Sequence, residues 1–143
     1  MKIKTKLNLG VGLLFLIIII LSLVASFYVF SIKKDCENIL KANYNTLEYS
    51  QNMLLSLDEM NADKEKAIVV FETNLIKQIA NITEAGEDNA TYNLQKVFNF
   101  LKKNKTDETL KSQIRQDIFE IMKLNMNAIN QKNRYCRTHG IDG

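Results

Sequence analysis

The sequence predicts an all-α protein: one N-terminal transmembrane helix continuing into an up-down-up-down four-helix bundle. Three observations carry this. Residues 7–32 form a run of 26 positions without a charge. The 143 residues include 0 Pro and only 5 Gly, so long helices can run uninterrupted and a turn-rich β-sandwich is disfavoured. Beyond Asp35, apolar residues recur at helical spacing.

The chain begins with a short cytoplasmic tail, residues 1–6, carrying Lys2, Lys4 and Lys6 and no acidic residue. The transmembrane helix follows over residues 7–32. As a helix this run spans roughly 39 Å, enough for a ~30 Å hydrocarbon core with some tilt. Phe27, Tyr28 and Phe30 suit the far interface. Lys33 and Lys34 come next, but Asp35 and Glu37 follow at once, so the cationic bias places the N-terminus inside. Val24-Ala25-Ser26 offers small residues tolerable to a signal peptidase. The apolar run is much longer than a signal h-region and continues past them, which favours an uncleaved anchor. No later stretch is long and apolar enough for a second span. The expected location is the cell inner membrane, single-pass, with the remaining chain on the extracytoplasmic side.

Residues 33–132 are expected to form the extracytoplasmic bundle. Between Asp35 and Gln131 there are 15 acidic and 11 basic residues, a formal charge of −4. That balance and location exclude nucleic acid as a partner. The first bundle helix carries Leu40, Leu47 and Leu54 at intervals of seven, with Cys36, Asn43, Ser50 and Leu57 interleaved, a 3-4 stripe of the bundle type. Nothing from Lys33 to Ile39 breaks it from the membrane helix. Asp63 is a candidate N-cap for the second helix, whose face is Ile68, Phe71, Leu75, Ile79 and Ile82. Gly86 breaks the chain before a third helix with Leu94, Val97, Phe98 and Leu101. Lys102, Lys103 and Lys105 complement its C-terminal dipole. Thr106 is a candidate cap for the fourth helix, followed by Asp107 and Glu108. Leu110, Ile114, Ile118, Ile121 and Asn125 form its stripe, widened by Phe119, Met122, Met126 and Ile129. The outer pair of helices is expected to be long and the inner pair short.

Few residues invite a chemical role. Asn43 and Asn125 interrupt apolar stripes, which most simply sets helix register. They are also candidates for a polar ligand pocket, which Tyr44, Tyr49 and Tyr92 could line, although Tyr at helical spacing more often marks the edge of a core. Cys36 and Cys136 would be brought to the same end of the bundle, where a disulfide is conceivable. Spacing alone does not establish one, and two free thiols is the reading taken. His139 has no partner of metal-binding or catalytic kind. No phosphate loop, zinc motif or nucleophile elbow occurs, so no catalytic residue, metal or cofactor is expected. Three Asn-X-Thr triplets, at Asn81, Asn89 and Asn104, match the glycosylation acceptor pattern and arise easily in an Asn-rich chain.

Three phrases along the helices carry a wider likeness: Asn38-Ile39-Leu40-Lys41-Ala42-Asn43-Tyr44-Asn45-Thr46-Leu47-Glu48-Tyr49-Ser50, Asn81-Ile82-Thr83-Glu84-Ala85-Gly86-Glu87, and Leu124-Asn125-Met126-Asn127-Ala128-Ile129. Over residues 1–132 the chain resembles the N-terminal four-helix-bundle sensor region of bacterial membrane histidine kinases, related in design to chemoreceptor sensor domains. The resemblance implies a homodimer, a signal of small-molecule or protein kind, and a fourth helix leading into a second span and a kinase core. Residues 133–143 depart from that pattern and read as an irregular tail. They supply no second span, phospho-acceptor histidine or nucleotide-binding segment, so autokinase activity does not carry over. Read one nucleotide later, codons for residues 135–140 can encode a run without Gly or Pro that would extend the helix, which suggests a frameshift near Lys132. The expected function is thus a truncated signal-input module. The alternative is a free-standing membrane-anchored bundle with a structural or partner-binding role.

Overall fold

A computed structural model describes residues 3–103 and 107–138, with side chains described for residues 8–103 and 107–135. The fold is all-α, with no strand among the described residues. The helices are α1 (Ile3–Glu59), α2 (Lys64–Ile79), α3 (Glu87–Lys103) and α4 (Glu108–Thr138). As expected, α1 and α4 are the long ones, at 57 and 31 residues, and α2 and α3 the short ones, at 16 and 17.

α1 runs unbroken from the apolar segment into the packed half of the molecule, because nothing in it interrupts the helical hydrogen bonds. It is the one helix among the described residues long and apolar enough to cross a membrane. Its large apolar side chains from Leu9 to Phe30 are exposed, with no protein packed over them. Ser22 and Ser26 turn their hydroxyls back onto the carbonyls of Ile18 and Ser22, each at 2.9 Å, which hides polar atoms in an apolar stretch.

α1 packs on α2 and α4, and α4 packs on α3, while α2 and α3 touch only sparsely. Asn52 of α1 donates to Asn74 of α2 at 3.3 Å. Arg115, near the start of α4, pairs with Asp58, near the end of α1, at 2.7 Å. Lys102 of α3 pairs with Glu72 of α2 and lies over the Phe98 ring. The apolar core joins Met53 and Leu57 of α1, Phe71 and Leu75 of α2, Leu94, Phe98 and Leu101 of α3, and Ile114, Ile118 and Ile121 of α4. Phe71 and Phe98 stack with centroids 3.9 Å apart, bridging the otherwise sparse α2–α3 seam.

Helix ends follow their sequence signals in part. Asp63 caps α2, accepting from the Lys66 N–H at 3.1 Å. Gly86 takes φ 87°, a left-handed turn that glycine adopts without strain, and α3 starts at the next residue. Thr106 lies outside the described residues. Asp107 does the capping there, accepting from the N–H groups of Thr109 and Leu110 at 2.9 and 3.3 Å.

Several expectations are corrected. On α1 the buried face is Cys36, Asn43, Thr46, Ser50, Met53, Ser56 and Leu57, continued by Met60 just past its end, and Leu40, Leu47 and Leu54 flank it half-buried. The stripe is rotated because polar Thr46 and flexible Met53 alternate with the Cys36 series at bundle spacing. On α2, Gln78 is buried, whereas Ile79 is exposed, as is Ile82 beyond the end of the helix. On α4, Ile129 is buried but Phe119 and Met126 are exposed. The tail expected to be irregular over residues 133–143 is helical through Thr138, since no Gly or Pro intervenes before that point. Its remaining residues, His139 among them, lie outside those described. Cys36 is not a free thiol: it is buried and disulfide-bonded. The chain's other cysteine, Cys136, lies beyond the residues whose side chains are described.

Candidate functional site

The most unusual chemistry in the bundle is a carboxylate without a cation. Glu87 is the first residue of α3 and fully buried. Its position follows from periodicity, because the α3 stripe of Leu101, Phe98 and Leu94 steps back through Thr91 to Glu87 at intervals of three and four. No ion pair to it exists among the described residues. Five hydrogen bonds stabilise the buried group instead. Oε1 accepts from Gln78 Nε2 of α2 and Asn125 Nδ2 of α4, each at 2.8 Å, and from Thr46 Oγ1 of α1 at 3.4 Å. Oε2 accepts from the backbone N–H groups of Thr83 and Glu84, at 2.9 and 3.0 Å. The turn between α2 and α3 therefore wraps around the carboxylate, which joins all four helices at one point.

A second layer extends the cluster towards α1. Asn43 is fully buried; its Nδ2 donates to Glu84 Oε1 at 3.0 Å, and its Oδ1 accepts from Thr83 Oγ1 at 2.9 Å. Asn81 Nδ2 donates to the Ala42 carbonyl at 2.7 Å and to Thr46 Oγ1 at 2.9 Å. Its amide is thus engaged inside the protein, although Asn81 opens an Asn-X-Thr triplet. Asn125 also donates to the Ile121 carbonyl at 2.9 Å.

Of the sequence-predicted candidates, Asn43 and Asn125 belong to this one network, connected through Glu84 and Glu87. Tyr44 does not join them: it is 55% exposed on the outer face of α1. Tyr49 lies half-buried with the Lys77 ammonium 5.6 Å from its ring centroid, and Tyr92 is exposed. A cleft lined by Met60, Asn61, Lys64, Ile68, Phe98 and Lys111 sits near the α1–α2 turn, and none of Asn43, Tyr44 and Asn125 borders it. Within that region Lys111 is buried, and its ammonium donates to Asn61 Oδ1 and Glu108 Oε1 at 2.9 and 3.0 Å.

Sequence reasoning missed Glu87, Gln78, Thr46 and Asn81. For Glu87 and Gln78 the signal was present as helical spacing, and their polarity hid it.

Among the described residues, no group of three or more His, Cys, Asp or Glu side chains could hold a metal ion. The cluster consists of amides, hydroxyls and one carboxylate, a set suited to hydrogen bonding. It offers no nucleophile paired with a base. Burial pushes the Asp117 carboxyl above its ordinary value, and a hydrogen bond from Gln113 opposes this in part. Compared with family models, curated proteins and solved structures, the chain matches none of them.

Proposed function

We propose that the chain is a membrane-anchored, extracytoplasmic signal-input module of the kind found in two-component sensor histidine kinases. The observation that carries the proposal is the continuity of α1, which links the apolar segment and the buried polar cluster in one helix. In this reading the apolar half of α1 spans the inner membrane with its N-terminus in the cytoplasm. The rest forms an up-down-up-down bundle outside it. The pairing of Asp58 with Arg115, and of Asn52 with Asn74, supports that order. A disulfide at Cys36 suits an oxidising compartment, which supports the outward placement. The module acts as a homodimer and carries no catalytic or cofactor chemistry of its own. A signal would bias two arrangements of its helices, and Glu87 is where a shift of any one helix is felt by the other three.

Two experiments test this. In spheroplasts, added protease should digest the bundle; complete protection overturns the orientation. The coding DNA beyond this segment should open, in a restored frame, a second apolar span of ~20 residues and then a kinase core. If every frame closes quickly, the free-standing anchored bundle is the better reading.

A further inference from the structure

Glu87 dictates the direction of two amides. Oε1 accepts from both, so Gln78 and Asn125 each turn their NH2 group to it and their carbonyl oxygen away. Both displaced oxygens, Gln78 Oε1 and Asn125 Oδ1, are buried without a hydrogen-bond partner. Two hydroxyls share that condition, Ser50 Oγ and Thr91 Oγ1. Ser50 lies one turn along α1 from Thr46, and Thr91 one turn along α3 from Glu87. Both steps lead from the carboxylate towards Met53 and Leu94 in the apolar core.

Neither hydroxyl takes the local escape used elsewhere in the chain. Ser22, Ser26 and Thr73 each donate to the carbonyl four residues earlier, at 2.9, 2.9 and 2.8 Å. Ser50 and Thr91 do not. Each of the four helices therefore contributes an unpartnered buried polar atom either on a side chain that binds the carboxylate or one helical turn from it. Two of these atoms can only accept, and two can donate.

We propose that Ser50, Gln78, Thr91 and Asn125 form an internal binding site for one water molecule. It donates to the two amide oxygens and accepts from the two hydroxyls. Buried waters typically make two to four such bonds to otherwise unsatisfied groups. Water matches this set because it has two donors and two lone pairs. An ammonium or metal cation would leave both hydroxyl protons without an acceptor, and an anion would face two carbonyl oxygens. Bound there, the water closes a hydrogen-bonded layer through all four helices, beneath the apolar core and beside Glu87.

The test is oxygen-17 relaxation dispersion of water on the full chain in detergent micelles, for wild type and a Ser50→Ala/Thr91→Val double variant. This variant leaves the donors to Glu87 untouched. The expected result is one fewer long-lived internal water in the double variant, with a lower thermal midpoint. Deleting hydroxyls that truly lacked a partner would instead leave the midpoint unchanged or raise it. An equal number of long-lived waters in the two proteins overturns the proposal. Should the double variant not fold, the near-isosteric Thr91→Val alone is read by residence time: the water, with three partners left, should exchange faster than in wild type, and an unchanged residence time overturns the proposal.

Discussion

Gln78 on α2 and Asn125 on α4 donate to the same atom, Oε1 of Glu87, each at 2.8 Å. Two helices that do not pack directly on one another are thereby tied through a side chain of a third. Glu87→Leu removes the acceptor and strands donors from Gln78, Asn125 and two backbone N–H groups. The expected loss is at least ~3 kcal/mol, since each buried donor left unsatisfied costs ~1–3 kcal/mol. Chemical unfolding of the full chain in micelles, followed by circular dichroism, checks it. A change below about 1 kcal/mol would show that the cluster contributes little net stability.

The two apolar series of α1 separate in a paired substitution. Leu57→Ala, at a fully buried position, should cost ~2–5 kcal/mol. Leu47→Ala, at a half-buried position, should cost clearly less. Equal losses in denaturant titrations would return the core to the Leu47 series.

Asn43→Leu should destabilise modestly, by about 1 kcal/mol, because Thr83 is exposed and Glu84 only half-buried, so water can replace their lost partner. A pure register device would give equal or higher stability with altered oligomerisation. Thermal midpoints together with light scattering distinguish the two.

Asp117 sets a pH dependence of known sign. Burial raises its folded-state pKa, so the native chain binds that proton more tightly than the unfolded chain does. Its contribution is present at pH below the unfolded value and is lost as pH rises through the folded one. Asp117→Asn should therefore gain on wild type as pH climbs from acid towards neutral. Midpoints of both proteins across that interval give the test, and parallel curves would exclude a role for Asp117.

The Cys36 disulfide predicts a response to reductant. Reduction, or Cys36→Ser, should lower stability by ~2–4 kcal/mol, the usual range for a native cross-link. Thiol titration of the unreduced, denatured chain should find Cys36 blocked.

What could be read from the sequence was whatever hydrophobicity itself marks. The apolar segment, the Asp63 cap, the break at Gly86 and the stripe Ile114-Ile118-Ile121 all announce themselves by composition and spacing. Failures came where spacing and polarity disagreed. Ile79 attracted assignment to the core because it is apolar, yet the turn of α2 puts Gln78 inward and Ile79 at 40% exposure. Glu87 is polar and so does not mark the core by composition, although extending the α3 interval by two steps reaches it. A buried polar residue is stabilised by partners from distant parts of the chain, and a single segment does not display them. Asn43 and Asn125 stand out because they interrupt apolar runs, and their shared network runs through Glu84 of the α2–α3 turn and Glu87 at the start of α3.

α1 contains no proline and no glycine beyond Gly12, so it has no built-in hinge between its two halves. Its packed half, from Lys33 to Glu59, is a lever arm of about 40 Å. If the apolar half lies in a bilayer, as proposed, a thicker or thinner hydrocarbon layer would alter its tilt. A tilt of about 10° would sweep the far end of the arm by roughly 7 Å, given the helix rise. Strain in the lipid would then reach the carboxylate cluster as a change of angle, with no soluble ligand involved.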